Sequence, residues 1–390
     1  MKRLTAFLLT LLFIVSFSFA DGEAWLTGWS HRKKITIVNT NVDGDLASFP
    51  VYVPIVDDEA IGTICEATGG DIRFTAADGD TELAYELVYF NVAATIANGD
   101  FYVLVNPVDH DAATVIYCYY DKNGETTTSA PTTVFNTANG WAAVWHLEEA
   151  AATYYDATAN NNDSVAGTVD PDRVAGQSGY GQDFNGSSDW IKVADNASVD
   201  FADGEDMLIT GWITLANLNK NQRIFVKRAI GGGAGYYLTI NSSNYIQLYA
   251  SDGVDFDTTN EQQTVSASTL THVGISWDRS SATGAKTIKD GALQATGRNL
   301  TSVNDTSNAI AVAISNRAGD DPGDYYLDGV LDELRVMKLA DITALPLAAW
   351  VKFEYYNMQE GHAAGNELTW GSAETEEAPS TYIPKVIIIQ

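Results

Sequence analysis

Apolar and polar residues alternate with a period of two through almost the whole chain. In KKITIV the side chains of Ile35 and Ile37 point to one face, as do those of Val51, Val53 and Ile55 in FPVYVPI. Clusters of Gly, Asp and Asn, such as AADGD and DKNGE, separate these runs and favour turns. Short alternating runs of this kind predict an all-β chain of antiparallel β-sandwiches.

The first residues have the pattern of a secretion signal. Lys2 and Arg3 precede the apolar run LTAFLLTLLFIV, and the small residues Ser18 and Ala20 lie where a signal peptidase cuts. The apolar run is too short to span a bilayer comfortably. We therefore expect residues 1–20 to be a signal peptide and the mature protein to be secreted or displayed at the cell surface, without a membrane span.

The charge of the chain excludes one class of partner. Asp and Glu number 51 against 22 Lys and Arg, and the formal net charge is −29. Such a polyanion repels phosphate groups, so we expect no nucleic-acid partner. Acidity of this degree suits solubility outside the cell.

A polar stretch divides the strand-rich sequence into two parts. Residues 122–140, KNGETTTSAPTTVFNTANG, are rich in Thr and interrupted by Pro131. This composition predicts a linker or a long surface connection. The strand pattern on either side then places an N-terminal β-sandwich domain at 21–121 and a second β domain at 141–345.

The C-terminal part, 346–390, contains the best helix candidate. Within LPLAAWVKFEYYNMQE, the spacing i, i+3, i+4, i+7 is occupied by Leu347, Trp350, Val351 and Glu354. We expect a short helix there, followed by a polar tail and a terminal strand.

The terminal strand YIPKVIIIQ, residues 382–390, has two interpretations. It can close the sheet of the N-terminal domain as a last strand. It can also be offered to the sheet edge of a neighbouring subunit, which would give self-assembly by strand addition. The sequence leaves both open.

The chain has two cysteines, Cys65 and Cys118. A secreted protein can form one disulfide from them. Two separate buried thiols are the alternative, and the distance between the cysteines decides.

Several stretches between residues 141 and 338 resemble a known family. They are AVWHLEEAAATYYDATANNNDS, GYGQDFNGSSDWIKVAD, LITGWITL, HVGISWD, IKDGALQAT and LDGVLDELRVMK. In this order they resemble the laminin-G-like, or concanavalin A-like, lectin/glucanase domains of prokaryotic surface proteins. The resemblance implies that the second domain is a jelly roll. One departure is Ser315, where related domains often carry Gly, so the conformation of that turn is open.

The N-terminal part also resembles a known domain. Residues 25–121, with WSHRKKITI, FPVYVPI and GGDIRFTAADGDTELAYE, are similar to a small β-rich domain of unknown function that often precedes such jelly rolls. The two resemblances cover most of the mature chain. They imply a fold and leave the ligand open, because such folds carry many functions.

The resemblance to glucanases raises the question of catalysis. Those enzymes use a pair of carboxylates on one strand face as nucleophile and general acid. In LDELRV, Asp332 and Glu333 are adjacent and therefore point to opposite faces. His146 stands alone, which favours a structural place. We expect no catalytic residues and no enzymatic activity.

A structural calcium ion is implied by the resemblance, since similar domains often hold one between loops and a sheet edge. The loop DATANNND, 156–163, is crowded with the oxygen groups that Ca²⁺ binds. The matching stretches give a metal set of Asp156, Asn160, Asp189 and Asp332. Ordinary turn chemistry is the alternative, because Asp and Asn also bond their own backbone in loops.

Aromatic side chains are candidates for ligand binding. In GYYLTINSSNYIQLYAS the residues Leu238, Ile240, Ile246 and Leu248 alternate with an aromatic set, and Trp190 has the corresponding parity on its own strand. The predicted ligand-binding residues are Trp190, Tyr237, Tyr245 and Tyr249. The alternative is that this second face is partly buried, as amphipathic aromatic residues often are.

Together these patterns predict a non-catalytic binding protein, secreted or on the cell surface. Its partner would be a glycan or another surface ligand held by the laminin-G-like domain. The first alternative is a structural subunit of a surface layer, filament or appendage that assembles partly through its C-terminal strand. The second, less favoured alternative is a glycan-cleaving enzyme.

Overall fold

The computed structural model describes residues 24–121, 124–151, 153–228, 233–316, 325–359 and 367–376. The predicted signal peptide, 1–20, and the predicted terminal strand, 382–390, lie outside the described residues. Within the described part, no helix has the length and apolar character needed to cross a membrane.

The N-terminal domain is a sandwich of two antiparallel sheets. Three strands form one sheet, in the order β2 (Phe49–Asp58), β6 (Ile96–Val105) and β5 (Tyr85–Ala93). Five strands form the other, in the order β22 (Leu368–Thr375), β1 (His31–Ile37), β7 (Thr114–Tyr120), β3 (Arg73–Ala76) and β4 (Glu82–Leu83). Buried residues such as Ile35, Val51 and Phe101 fill the space between them, as the alternation predicts.

The second domain packs a large sheet against a six-stranded sheet. The large sheet has the order β19 (Ala292–Leu293), β18 (Ala285–Lys289), β17 (Thr271–Trp277), β12 (Asp206–Leu215), β21 (Asp328–Leu339), β10 (Tyr180–Asn185) and β9 (Asp172–Ala175), with β8 (Trp141–Trp145) also paired to β21. The other has the order β11 (Ile191–Val193), β20 (Val312–Ile314), β13 (Gln222–Arg228), β14 (Gly235–Ile240), β15 (Ile246–Ser251) and β16 (Phe256–Thr258). The prediction of two antiparallel β-sandwiches is confirmed.

The predicted C-terminal helix forms as α3 (Leu347–Gln359) and lies between the two domains. Its Trp350 ring contacts Phe49 of the first domain, with centroids 4.6 Å apart, and Trp141 of the second, at 6.2 Å. Two shorter helices, α1 (Glu59–Ile64) and α2 (Pro131–Val134), were not predicted. One hydrophobic core therefore runs from the N-terminal sandwich through the helix to the large sheet.

The connection between the domains differs from the predicted linker at 122–140. Its described part, 124–140, contains α2 and packs on β5, where the Ala130 N–H donates to the Tyr85 carbonyl at 2.7 Å. Val134 and Phe135 are fully buried. The burial of these two residues makes the connection a packed part of the fold. The sequence did not indicate this, because the segment is polar at most other positions.

The predicted polar tail also differs from the structure. Its residues LTWGSAET form β22, which pairs antiparallel with β1 and closes one side of the five-stranded sheet. The N-terminal sheet is thus closed by 368–375, and the question of what 382–390 pairs with lies outside the described residues.

The two cysteines are free thiols in this structure, so the disulfide alternative for Cys65 and Cys118 is not the one observed. Cys118 is buried on β7, where burial raises the pKa of its thiol well above the ordinary value. Cys65 is half-buried at the end of α1, and burial raises its thiol pKa to about 12. Neither thiol is therefore prone to ionise and react near neutral pH.

Candidate binding face

The outer face of the six-stranded sheet carries a stack of aromatic rings. Leu238 and Leu248 point into the core, so Tyr237 and Tyr249 at the adjacent positions point outward. These two tyrosines are cross-strand partners, and their rings are nearly parallel, with centroids 4.6 Å apart and an interplanar angle of 6°. Phe256 on β16 continues the stack, with its centroid 5.9 Å from that of Tyr249.

Two arginines of β13 flank this stack. The guanidinium carbon of Arg223 lies 3.4 Å from the ring centroid of Tyr237 and covers that end. The guanidinium of Arg228 lies 4.5 Å from the Tyr249 centroid, and its Nη2 donates to Tyr249 Oη at 3.0 Å. Both are cation–π contacts. Tyr237, Tyr249, Phe256, Arg223 and Arg228 are called the aromatic face below.

The stack is covered at one end and open at the other. Tyr237 and Tyr249 are half-buried, whereas the Phe256 side chain at the open end is 68 % exposed. An exposed large aromatic residue held in a fixed orientation by its neighbours offers a flat apolar surface to a ligand.

Trp190 has a different role from the two tyrosines. It is half-buried and packs with Tyr237 and Ile310 around Val226 and Ala313, which are buried on the outer side of the same sheet. This end of the outer face is therefore a small second core. It agrees with the alternative prediction that the face carrying the aromatic residues is partly buried. The open surface begins beyond Tyr237.

Tyr245 is the predicted binding residue that the structure places apart from the stack. It precedes β15, forms an isolated bridge with Thr264, and makes no ring contact with another described aromatic residue. Phe256 was missed because FDT is too short to show a periodicity. The turn residues Asp252 and Gly253 were its available signal, since they form a hairpin that pairs Ser251 with Phe256.

The predicted calcium ligands in the loop after β8 are occupied by hydrogen bonds within the protein. Asp156 accepts from the backbone N–H groups of Val144, Thr158 and Asn162 at 2.8–3.0 Å. The Asn160 amide donates to the Ala142 carbonyl at 2.9 Å. These contacts are the turn chemistry that the sequence left as the alternative.

The other two predicted ligands lie in different settings. Asp189 accepts from the side chain and the backbone N–H of Asn185, at 2.6 and 3.0 Å. Asp332 is buried and accepts from the backbone N–H groups of Gln177 and Ser178, at 2.6 and 3.0 Å. The structure does not gather the four residues into one site, and a structural calcium ion stays a prediction.

One group of possible metal ligands does meet within the described residues. Oxygen and nitrogen atoms of Asp45, Asp109 and His110 lie within 4.8 Å of one another in the N-terminal domain. Asp45 and His110 are exposed and already hydrogen-bonded to each other at 2.8 Å. The Asp45 carboxylate raises the pKa of His110, which favours an ion pair over metal binding.

A buried set of charged residues joins the two domains and α3. His146 Nδ1 contacts Glu333 Oε1 at 2.8 Å, and its Nε2 contacts Glu86 Oε2 of the N-terminal domain at 3.2 Å. Arg335 donates to Glu333 at 2.9 Å and to Glu354 of α3 at 3.1 Å. Glu86, His146, Glu333, Arg335 and Glu354 are called the interdomain network below.

The adjacent residues Asp332 and Glu333 have different surroundings, and only Glu333 belongs to the interdomain network. Glu333 has a left-handed backbone, φ +50°, at a bulge of β21, and faces His146 and Arg335. Burial alone would raise the pKa of Glu333, but these two cations hold it below the usual range. Burial and the charge of Glu333 instead raise the pKa of Asp332 well above its usual value. Both carboxyl groups are closed off from solvent, and no water-sized space remains beside Arg335 and Glu354.

Two family models match the chain. Residues 184–344 match the concanavalin A-like lectin/glucanases superfamily, and residues 68–145 match a domain of unknown function, DUF2341. No curated protein shows significant similarity to the chain.

Three solved structures of low sequence identity are similar to part of this chain. The binding domain of Paraclostridial Mosquitocidal Protein 1 is 12% identical with a TM-score of 0.44, over 56% of this chain and 52% of that one. The binding domain of botulinum neurotoxin serotype G is 10% identical with a TM-score of 0.42, over 55% and 50%. This chain thus spans about half the length of either.

The third is Domain 4 of AbnA, an extracellular arabinanase from Geobacillus stearothermophilus, in complex with arabinotriose. It is 16% identical with a TM-score of 0.41, over 54% of this chain and 96% of that one. These TM-scores are low, so the three similarities support no conclusion beyond the two family matches. The match to DUF2341 and the match to the concanavalin A-like lectin/glucanases superfamily thus follow each other along the chain in the order that the sequence predicts.

Proposed function

We propose that the chain is a secreted or cell-surface, non-catalytic protein that binds a glycan on the aromatic face of its concanavalin A-like domain. The observation that carries this proposal is the open end of the stack at Phe256, which is held against Tyr249 yet 68 % exposed. Sugars present flat C–H surfaces that lie well on such a ring, and the flanking Arg and Tyr groups supply hydrogen bonds.

The burial of Asp332 and Glu333, the acid pair that the resemblance to glucanases singles out, supports binding without cleavage. Asp332 and Glu333 are adjacent and both buried, and each is engaged with its own partners. A glycosidase needs two carboxyl groups on either side of a bound glycosidic bond.

Replacing Phe256 by Ala tests the proposal directly. The full mature chain would first be screened on a glycan array, and the best glycan would then be titrated calorimetrically. We expect F256A to lose about tenfold in affinity, because one stacked ring contributes on the order of 1.4 kcal/mol. Thermal unfolding should change little, since the side chain is mostly exposed.

Val254 provides the matched control. It lies two residues away, is 88 % exposed and is outside the stack, so V254A removes a similar exposed apolar group without touching the aromatic face. Affinity should be unchanged in V254A. Absence of binding to every glycan, or equal affinities of F256A and V254A, would show that the aromatic face is not the binding site.

A further inference from the structure

One edge of the N-terminal sandwich is left uncovered by the described residues. Strand β22 pairs with β1 on one side, and no described strand lies on its other side. In an antiparallel ladder every second residue turns its N–H and C=O groups away from the partner strand. β22 is eight residues long and therefore offers a row of such groups along its outer side.

The other long edge strands of the same sandwich are covered. On β2, Asn357 of α3 accepts from the Tyr52 N–H at 2.8 Å and donates to the Tyr52 carbonyl at 3.0 Å. On β5, the connection between the domains supplies the Ser129 hydroxyl, which accepts from the Leu87 N–H at 2.9 Å. The remaining edge strand, β4, is only two residues long. β22 is thus the edge of this sandwich at which a further strand can pair.

A shallow, mostly apolar groove of about 500 Å³ lies beside this edge, between β22 and α1. Ile64 of α1 is 38 % exposed there. A strand added to β22 would extend the face that carries Ala373 and Thr375, and every second side chain of that strand would cover the groove. The groove is lined by His31, Ala60, Ile64, Tyr120, Ala373 and Thr375.

The sequence that follows β22 has the length and composition of a partner for it. The Glu376 N–H donates to the Ser30 carbonyl at 3.0 Å, so the chain still runs beside β1 where β22 ends. Residues 377–381, EAPST, then precede the apolar stretch 382–390, YIPKVIIIQ. A connection of about five residues is common in β-hairpins, and Pro379 suits the second position of a type I turn. Nine residues are enough to pair with the eight of β22.

Pro384 and Lys385 in this stretch are typical of an edge strand. Proline has no N–H to give to a sheet and is tolerated where that position faces outward. Lysine on an edge opposes the addition of a further strand. The four residues 386–389, VIII, are β-branched and uncharged, which favours a strand.

We propose that residues 382–390 pair with β22 of their own chain as a hairpin and cover the groove beside α1. A second copy of the chain is the competing donor of this segment. The short connection favours the segment of the same chain, because it keeps that segment at an effective concentration in the millimolar range. The inference concerns the N-terminal domain and does not depend on glycan binding.

Hydrogen exchange resolved to single amides tests the proposal on the full mature chain and on a chain that lacks 382–390. We expect the β22 amides that point away from β1 to exchange at least about tenfold more slowly in the full chain, because pairing protects them. The β22 amides that donate to β1 are the internal reference. Sedimentation of the same samples shows whether the protected species is a monomer.

I387P/I388P is the point variant, since one of the two prolines removes an N–H from the new ladder whichever residue faces β22. It should lose the protection as the deletion does. I387V/I388V is its matched control and should keep it, because both residues stay β-branched and apolar. Unprotected outward amides in the full chain, or protection that survives the deletion, overturns the proposal. Protection found only in dimers or larger species assigns the edge to a second copy and overturns it as well.

Discussion

The carboxyl group of Glu148 shows how burial at the edge of the interdomain network changes the chemistry of one residue. Glu148 follows β8, and its Oε1 accepts from the backbone N–H of Tyr180 at 3.0 Å. Burial raises its pKa to about 8, and the nearby charges of Glu333 and Asp100 act in the same direction. The folded protein therefore holds this group protonated across a pH range in which the unfolded chain ionises it.

The sign of the consequence follows from linkage. Because the folded pKa is raised above the ordinary value of 4.5, the stabilisation is complete below that pH and is lost as the pH rises through about 8. Glu148→Gln stays neutral and can still accept from Tyr180. We expect its free energy of unfolding to be flatter between pH 5 and 8, and to exceed that of the wild type at pH 8 by about 2–4 kcal/mol.

Urea unfolding at several pH values measures this difference. Glu82→Gln is the control, since Glu82 is exposed on β4 and the variant should follow the wild-type pH dependence. A Glu148→Gln variant whose curve runs parallel to that of the wild type would contradict the prediction.

The sequence predicts single residues well where parity alone decides their direction. Alternation correctly assigned Leu238 and Leu248 to the core and Tyr237 and Tyr249 to the outer face. Parity does not say what covers that outer face, which is why Trp190 is packed against Val226 while Tyr249 is beside an open surface. At Ser315 the backbone has a positive φ of 61°, a conformation that Gly adopts more readily than Ser.

Among the elements, α3 contacts both domains. Its buried face includes Trp350, Val351 and Phe353. The rings of Trp350 and Phe353 both pack on Phe49. The apolar spacing in the sequence was enough to predict the helix. Its place between two sandwiches could not be predicted, because periodicity shows a buried face without showing what buries it.

Trp350→Ala tests the contribution of the helix to stability. The ring is 3 % exposed and touches both domains, so its removal leaves a cavity at their junction. We expect the free energy of unfolding to fall by about 3–5 kcal/mol.

Lys352→Ala is the matched control on the solvent side of the same helix. Its ammonium pairs with the exposed Asp43 at 2.7 Å, a surface ion pair that contributes at most about 1 kcal/mol. Both variants would be compared by urea unfolding. Similar losses in the two would show that α3 does not stabilise the junction.

Strand β22 is an element that sequence reasoning could not find. LTWGSAET has small and polar residues at most positions, and the strand forms because β1 offers it a partner, with Ile35 opposite Trp370. Pairing with a distant strand of the first domain outweighs its weak local preference. The packing of the connection at 124–140 could not be predicted from the sequence either, because Val134 and Phe135 become buried only through contacts with distant parts of the chain.

At the scale of the whole molecule, the interdomain network brings together residues that are far apart in the chain. Glu86 belongs to the first domain, His146 and Glu333 to the second, and Glu354 to α3. No local pattern predicts such contacts, since each partner alone looks like an ordinary strand or helix residue. The network therefore links the large sheet of the second domain to the N-terminal domain and to α3.

His146 is the residue whose removal should disturb this arrangement most. Burial lowers the pKa of its imidazole, but the carboxylates of Glu333 and Glu86 outweigh burial and raise the pKa well above 6.5. His146→Gln leaves the buried Glu86 without its cation and leaves Glu333 with Arg335 alone. We expect it to lose about 3–5 kcal/mol of unfolding free energy at pH 6.

The pH dependence separates this effect from a simple packing defect. Since the folded pKa of His146 is raised, its stabilisation is complete below pH 6.5 and is lost as the pH rises through the raised value. The gap between wild type and His146→Gln should therefore narrow above neutral pH. It would be measured by urea unfolding in the Glu148→Gln background, which removes one buried carboxyl group whose pKa is raised to about 8. His31→Gln, which breaks a half-exposed contact with Asp121, should cost at most about 1 kcal/mol. A gap for His146→Gln that stays constant from pH 6 to 9 would mean that its charge does not hold the domains together.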